Sequence, residues 1–391
     1  MKGGPQTWDE LQESPVSVES ACISHDGTRI AAVFADKTLC IYDTTTGEVI
    51  PPSFKVDENP RSVIFSRDGK LVASGGQALQ LWNVQTGEEV ESFDINVYSL
   101  ALSPDGTCIA AGCEGRRREY SEEWDEDGSY NIRVINLKLA KISNIRNHVT
   151  PGAKKLLKGE VWPSPFEGHN YHVNSVTYSA DGKQIASSSD DWSIRIWDVS
   201  TGSRRIFRAN SNWNHSVAFS PDGTQLASDT TLFNLSTSSS TRHAFGMTER
   251  TVYSSAFSVD GRYLVSGSYR AACQIWDAST HQTIVQLIGH AGDIFSVAFF
   301  PDGKHIMSAS CDGTIRVWDV EFLEARGEMD DWQMVWDLDG YGILGPEGDL
   351  LLSTSLPFRH ARNTLVIGKC LNIDFSKYVH GDEWVKCREP L

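Results

Sequence analysis

The chain has 391 residues, with 35 Lys and Arg against 51 Asp and Glu, a formal net charge of −16 and a pI near 5.1. A surface of that sign repels phosphate backbones, so nucleic acid is not an expected partner. No apolar run approaches the roughly 20 residues a bilayer core requires, and the opening MKGGPQTWDE has no apolar centre, so neither a membrane span nor a secretory leader is expected.

Residues 1–17 read as an N-terminal extension. From residue 18 one phrase recurs: apolar residues, a Ser- or Phe-led x-Asp-Gly, then more apolar residues. The copies are SHDG, SRDG, SPDG, SADG, SPDG, SVDG and FPDG, with glycines at Gly27, Gly69, Gly106, Gly182, Gly223, Gly261 and Gly303. Adjacent glycines lie 37 to 42 residues apart, except for a gap of 76 between Gly106 and Gly182. About 13 residues after most of them comes CIYD, LWN, IWD or VWD, ending at Asp43, Asn83, Asp198, Asp277 and Asp319. Length alone suggests two or three domains. A period near 40 with this pair of signals instead marks one four-stranded propeller blade per repeat, and stacked blades share one core.

The first repeat has Asp36 and Tyr42, and the second shortens its b–c turn to GGQ. In the third, strand b is predicted over Cys108–Gly112 and strand c over Asn131–Leu137. Between them lies an acidic flap, 114–130, and after them a basic loop, 138–160, on the opposite face. These insertions are either plain connectors or interaction loops. The fourth repeat, GHNYHVNSVTYSADGKQIASSSDDWSIRIWDV, runs over Gly168–Val199. The fifth truncates its turn to Ser228-Asp229-Thr230, and the sixth places Arg270 where a turn Asp belongs, keeping Ser266 and Trp276. In the seventh, GHAGDIFSVAFFPDGKHIMSASCDGTIRVWDV, strands are expected over Ile294–Phe299, His305–Ala309 and Thr314–Trp318. Residues 321–391 hold three more strand-like runs, Tyr341–Leu352, Asn363–Gly368 and Leu371–Phe375. They are expected to form a degenerate eighth blade, with a cap as the alternative, and His380, Trp384 and Cys387 read as packing residues. The eight cysteines are scattered without a CxxC pair, which suggests reduced thiols, a cytoplasmic or nuclear compartment, and no metal or other cofactor.

These repeats resemble WD40 repeats from about Val18 to Val320, most specifically in the fourth and seventh. The resemblance implies an all-β propeller of seven recognisable blades. The run YGILGPEGDLLL…RNTLVIG…IDFSKYVHGDEWVKC is similar to the tail of WD40 proteins of mushroom-forming fungi. In WD40 proteins a buried hydrogen-bond chain joins a His, a Ser, an Asp and a Trp. By position these are His169, Ser187, Asp191 and Trp197 in the fourth repeat, and His290, Ser308, Asp312 and Trp318 in the seventh. Ser, His and Asp also spell a hydrolase triad, but two copies at one blade offset and the lack of a GxSxG elbow favour a structural tetrad.

The resemblance also implies that one strand-a position per repeat rims the central opening. It holds Glu19, Arg61, Tyr98, Asn174, His215, Tyr253 and Phe295, with Asp190, Tyr269 and Cys311 beside it. Aromatic residues and Arg dominate binding hot spots, although such rings also simply fill a channel mouth. The expected function is a non-catalytic scaffold that binds a protein or peptide through this rim. One alternative is a subunit of a transcriptional corepressor or ubiquitin-ligase assembly. Ligase receptors commonly carry Trp-Asp-x-Arg, where this chain has WDVS, WDAS and WDVE. The other alternative is a propeller enzyme, for which the rim offers one Glu and one His, with no P-loop or HExxH motif.

Overall fold

The structure is a computed structural model that describes residues 16–113, 131–137, 166–208, 215–229, 231–236, 242–244, 251–271, 273–287, 289–320, 333–337, 340–344 and 350–354. The N-terminal residues 1–15, the acidic flap, the basic loop and the segment with His380, Trp384 and Cys387 lie outside the described residues. Every regular element in the described residues is a β-strand, and successive strands pair antiparallel within each repeat. Blade 1 consists of Val18–Ile23, Arg29–Phe34, Thr38–Asp43 and Val49–Lys55, here strands a to d. Blades 2 to 6 repeat that order, and blade 7 contributes strands a to c over Ile294–Phe299, His305–Ser310 and Ile315–Asp319.

The recurring phrases are turn chemistry. In the first a–b turn the Ser24 hydroxyl donates to Asp26 Oδ1 at 2.6 Å, and the same carboxylate oxygen accepts the Thr28 amide at 3.0 Å. Ser24 Oγ in turn accepts the Arg29 amide at 2.9 Å, which closes the loop. The glycine must then take a left-handed conformation, and φ is 73° at Gly27 and between 63° and 74° in the other six copies. The Asp of the second phrase acts likewise one turn later: Asp198 Oδ1 accepts the amides of Ser200 and Thr201 at 3.0 and 2.8 Å.

Strand b is buried almost throughout, as in Leu71–Gly75 and His305–Ser310, because neighbouring blades cover both of its faces. Its small residues set the spacing. A Cβ added to Gly267 would come within 2.6 Å of Ile294 in the next blade. Strand d faces solvent, and Arg204–Arg208 is largely exposed.

The core is divided among the seams between blades. Ala31, Leu39 and Ile41 of blade 1 pack with Val63, Phe65 and Trp82 of blade 2. Equivalent clusters fill each following seam through to Val265, Ile275, Ile294 and Trp318 between blades 6 and 7. The last seam joins Phe300, Met307 and Ala309 of blade 7 to Val18, Ile30 and Ala32 of blade 1. The ring therefore closes with seven blades. The expected eighth blade does not stand between the seventh and the first, because their strands pack directly on each other. Gln333–Asp337, Gly340–Leu344 and Leu350–Thr354 form a separate three-stranded antiparallel sheet.

A belt of serines ties the inner strands together. Ser62 Oγ accepts the Leu100 amide at 3.0 Å, and Ser99 Oγ accepts that of Val176 at 3.1 Å. Ser175 serves Val217 at 3.3 Å, Ser254 serves Val297 at 3.1 Å, and Ser216 meets Ser255 at 2.8 Å. Ser296 closes the belt by accepting the Ala21 amide at 3.1 Å, again from blade 7 to blade 1. Each bond joins neighbouring blades close to the axis, where side-chain volume is least available.

Candidate functional site

Each serine of this belt except Ser255 directly follows one of the residues expected at the rim, and the backbone sets that residue apart. Strand a carries a register break at that residue in blades 1, 4, 6 and 7, leaving Glu19, Asn174, Tyr253 and Phe295 unpaired against strand b. Blade 3 breaks at the same place, around Tyr98. Such a bulge turns one side chain out of the sheet's alternation. Here it leaves a partly exposed side chain between two buried neighbours, as in Val18-Glu19-Ser20 and Ile294-Phe295-Ser296.

The rim side chains make contact across blade seams and form two arcs. In one, the Arg61 guanidinium lies 4.0 Å from the Tyr98 ring centroid, and Tyr98 stacks on His172 at 4.9 Å and 20°. In the other, His215 lies 5.4 Å from Tyr253, and Tyr253 meets Phe295 edge-on at 5.2 Å and 79°. Between the arcs Asn174 Nδ2 donates to Asp190 Oδ1 at 2.6 Å. Burial holds the His215 imidazole below its ordinary value against the opposing pull of Asp190, so the ring is neutral at pH 7. Burial also raises the Tyr253 phenol, as do the nearby Asp293, Tyr269 and Cys311. Asp293 Oδ1 accepts the Arg270 amide at 2.9 Å, and the Arg270 guanidinium lies 5.3 Å from the exposed Tyr269 ring.

Sequence reasoning did not single out His172 or Asp293. Both lie two residues before a rim residue, immediately ahead of strand a, and that register is the signal that would have found them. Tyr171 and Trp192, at 56% and 59% exposure, add two large aromatic surfaces on the corner of blade 4.

The two tetrads are set inside their blades, away from the rim. In blade 4, Trp197 Nε1 donates to Ser187 Oγ at 2.9 Å, Ser187 Oγ lies 2.7 Å from His169 Nε2, and His169 Nδ1 lies 2.9 Å from Asp191 Oδ2. Blade 7 repeats this through Trp318, Ser308, His290 and Asp312 at 2.7, 2.7 and 3.0 Å. Ser187 and Ser308 are fully buried, so neither hydroxyl can meet a substrate. Burial lowers both imidazoles despite the adjacent carboxylates. Burial pushes the carboxylates the other way, but the histidine, hydroxyl and amide donors outweigh it and hold both below the usual range. Each chain therefore runs with a neutral imidazole whose Nδ1–H donates to an ionised Asp and whose Nε2 accepts from Ser.

Two blades that depart from the tetrad keep half of it: Trp82 Nε1 donates to Ser74 Oγ at 3.0 Å, and Trp276 Nε1 to Ser266 Oγ at 2.8 Å. Blades 2 and 6 are therefore still braced in part, because the indole–hydroxyl bond needs no histidine.

Burial pushes the Cys22 and Cys273 thiols up to about 12, which leaves them poor nucleophiles. Among the described residues no group of three or more His, Cys, Asp or Glu could hold a metal ion, and no helix is long and apolar enough to cross a membrane.

The profile of the family described as "WD domain, G-beta repeat" matches residues 10–43, 87–117, 163–198, 238–277 and 281–319. Over 192 residues the chain is 34% identical to WD repeat-containing protein SL1-17 of Schistosoma mansoni, covering 48% of this chain and 52% of that protein. It is 25% identical over 268 residues to a guanine nucleotide-binding protein subunit beta of Zea mays, covering 58% and 67% of the two chains. It is 24% identical over 221 residues to the target of rapamycin complex subunit wat1 of Schizosaccharomyces pombe, covering 54% and 60%. The chain thus spans about half the length of the first of these relatives.

Proposed function

Since the chain belongs to the WD40-repeat family, we propose that it is a non-catalytic scaffold that holds a protein or peptide partner on the rim of its seven-bladed ring. The observation that carries this reading is the pair of aromatic arcs, Arg61–Tyr98–His172 and His215–Tyr253–Phe295, in which Tyr98, Tyr253 and Phe295 sit at strand bulges. Rings packed on one another are held rigid, so a partner buries their area at little entropic cost. Two of the relatives are named as subunits, of a guanine nucleotide-binding protein and of a target of rapamycin complex, which supports an assembly role without identifying the partner. The fully buried Ser187 and Ser308 weigh against a hydrolytic role for the tetrads.

The experiment is affinity capture from the native source with wild-type chain and with Tyr253→Ala/Phe295→Ala. The double variant is expected to lose its main partner, with an affinity loss of about 2 kcal/mol or more, while its melting temperature stays close to wild type. Equal partner recovery by the variant would falsify the assignment.

A further inference from the structure

Building on the reading that the rim meets a partner, we infer that the arc across blades 5 to 7 is a subsite for one cationic side chain, lysine or arginine, in an extended segment of that partner. His215, Tyr253 and Phe295 form one continuous wall, with centroids 5.4 and 5.2 Å apart. Two fixed carboxylates stand beside it. Asp190 is held by Asn174 at 2.6 Å and acts electrostatically on His215. Asp293 is held by the Arg270 amide at 2.9 Å and acts electrostatically on Tyr253. Aromatic faces attract a cation within about 6 Å of the ring centroid, and a carboxylate already fixed in place receives its N–H groups without further ordering.

The same rim displays this chemistry with the chain's own cations. Arg61 covers Tyr98 at 4.0 Å, and Arg270 lies over Tyr269 at 5.3 Å. Charge complementarity decides the sign of the occupant. A carboxylate entering the arc would face Asp190 and Asp293 on a molecule of net charge −16, whereas an ammonium or guanidinium would be drawn to both.

The test uses the full chain labelled with fluorotyrosine and capped pentapeptides Gly-Gly-X-Gly-Gly, where X is Arg, Lys, norleucine or Glu, titrated by fluorine NMR. The Arg or Lys peptide is expected to bind at least tenfold more tightly than the norleucine and Glu peptides. Asp293→Asn retains an oxygen for the Arg270 amide, so it should melt like wild type yet reduce that preference at least fivefold. Asp302→Asn, in the turn at the other end of the same strand, should leave it unchanged. Equal binding of the norleucine and cationic peptides, or an unaltered preference in Asp293→Asn, overturns the subsite. Partner capture separates the two readings. A partner lost with Tyr253→Ala/Phe295→Ala but fully retained with Asp293→Asn overturns the cation subsite and leaves the rim standing. Retention by both variants overturns the rim itself.

Discussion

At the scale of single residues, the tetrads make fold stability depend on pH in one direction. Burial keeps His169 and His290 neutral when folded, whereas the unfolded chain protonates them near the ordinary histidine value of 6.5. A depressed histidine value means a contribution that is complete above about pH 6.5 and lost as pH falls toward the folded value. Asp191 and Asp312 lie below their ordinary 3.8, so their contribution is complete above that value and is lost only in stronger acid. The melting temperature should therefore fall between pH 7.5 and 5.5, and His169→Asn/His290→Asn should fall less across that interval from a lower start. An undiminished fall in the double variant would place the responsible groups elsewhere. Asp312 has a second consequence. Its carboxylate accepts the Ala291 and Thr314 amides at 2.8 and 2.9 Å as well as the buried His290, so Asp312→Ala removes three hydrogen bonds together and strands a buried imidazole. The cost should be about 3 kcal/mol by denaturant unfolding, and a loss well under 1 kcal/mol would show that water replaces the carboxylate.

At the scale of the blade, the ring is not uniform. Blade 5 has short strands, Val217–Phe219, Gln225–Ser228 and Thr231–Asn234, and Phe233 stands where blades 2, 4, 6 and 7 carry a hydrogen-bonded Trp. Its seam with blade 6 packs Ala227 and Leu232 against Leu264 and Trp276, a thinner set than the seam between blades 2 and 3. Local opening follows such deficits. Amide exchange should therefore be fastest in blade 5 and slowest in strand b of blades 4 and 7, and uniform protection around the ring would contradict this. The same unevenness explains what could be read in the sequence. Strands a, b and c announce themselves by apolar runs and by the Asp-Gly turn, whose chemistry is local. Strand d does not, because Glu89–Phe93 and Arg204–Arg208 are exposed over most of their length and bury too few residues to make an apolar pattern. The expected rim positions come only from the repeat, and a bulge marks them in blades 1, 3, 4, 6 and 7. His172 and Asp293 were not legible, because their roles depend on rings contributed by other blades. The eighth blade was expected from a count of strand-like runs, and counting cannot tell that Phe300 and Met307 already pack on Val18 and Ile30.

At the scale of the whole molecule, closure and charge act together. Blade 1 is held to blade 7 by the Ser296–Ala21 bond and by one apolar seam, so the ring is a circuit in which every blade has two neighbours. A formal charge of −16 over the whole chain repels itself and works against the compact state. Salt shortens the range of this repulsion, from about 30 Å at 0.01 M to about 8 Å at 0.15 M. The melting temperature should therefore rise as sodium chloride is increased over that interval. The same screening weakens the attraction that brings a cationic peptide to the arc between Asp190 and Asp293, so peptide affinity should fall over the same interval. The two responses have opposite signs because one field acts against the fold and in favour of the ligand. Thermal unfolding and peptide titration, both run at 10, 50 and 150 mM salt, measure them side by side. A melting temperature that falls with added salt would mean that attractive ion pairs outweigh the net repulsion, and the charge would then be a stabilising feature of the ring.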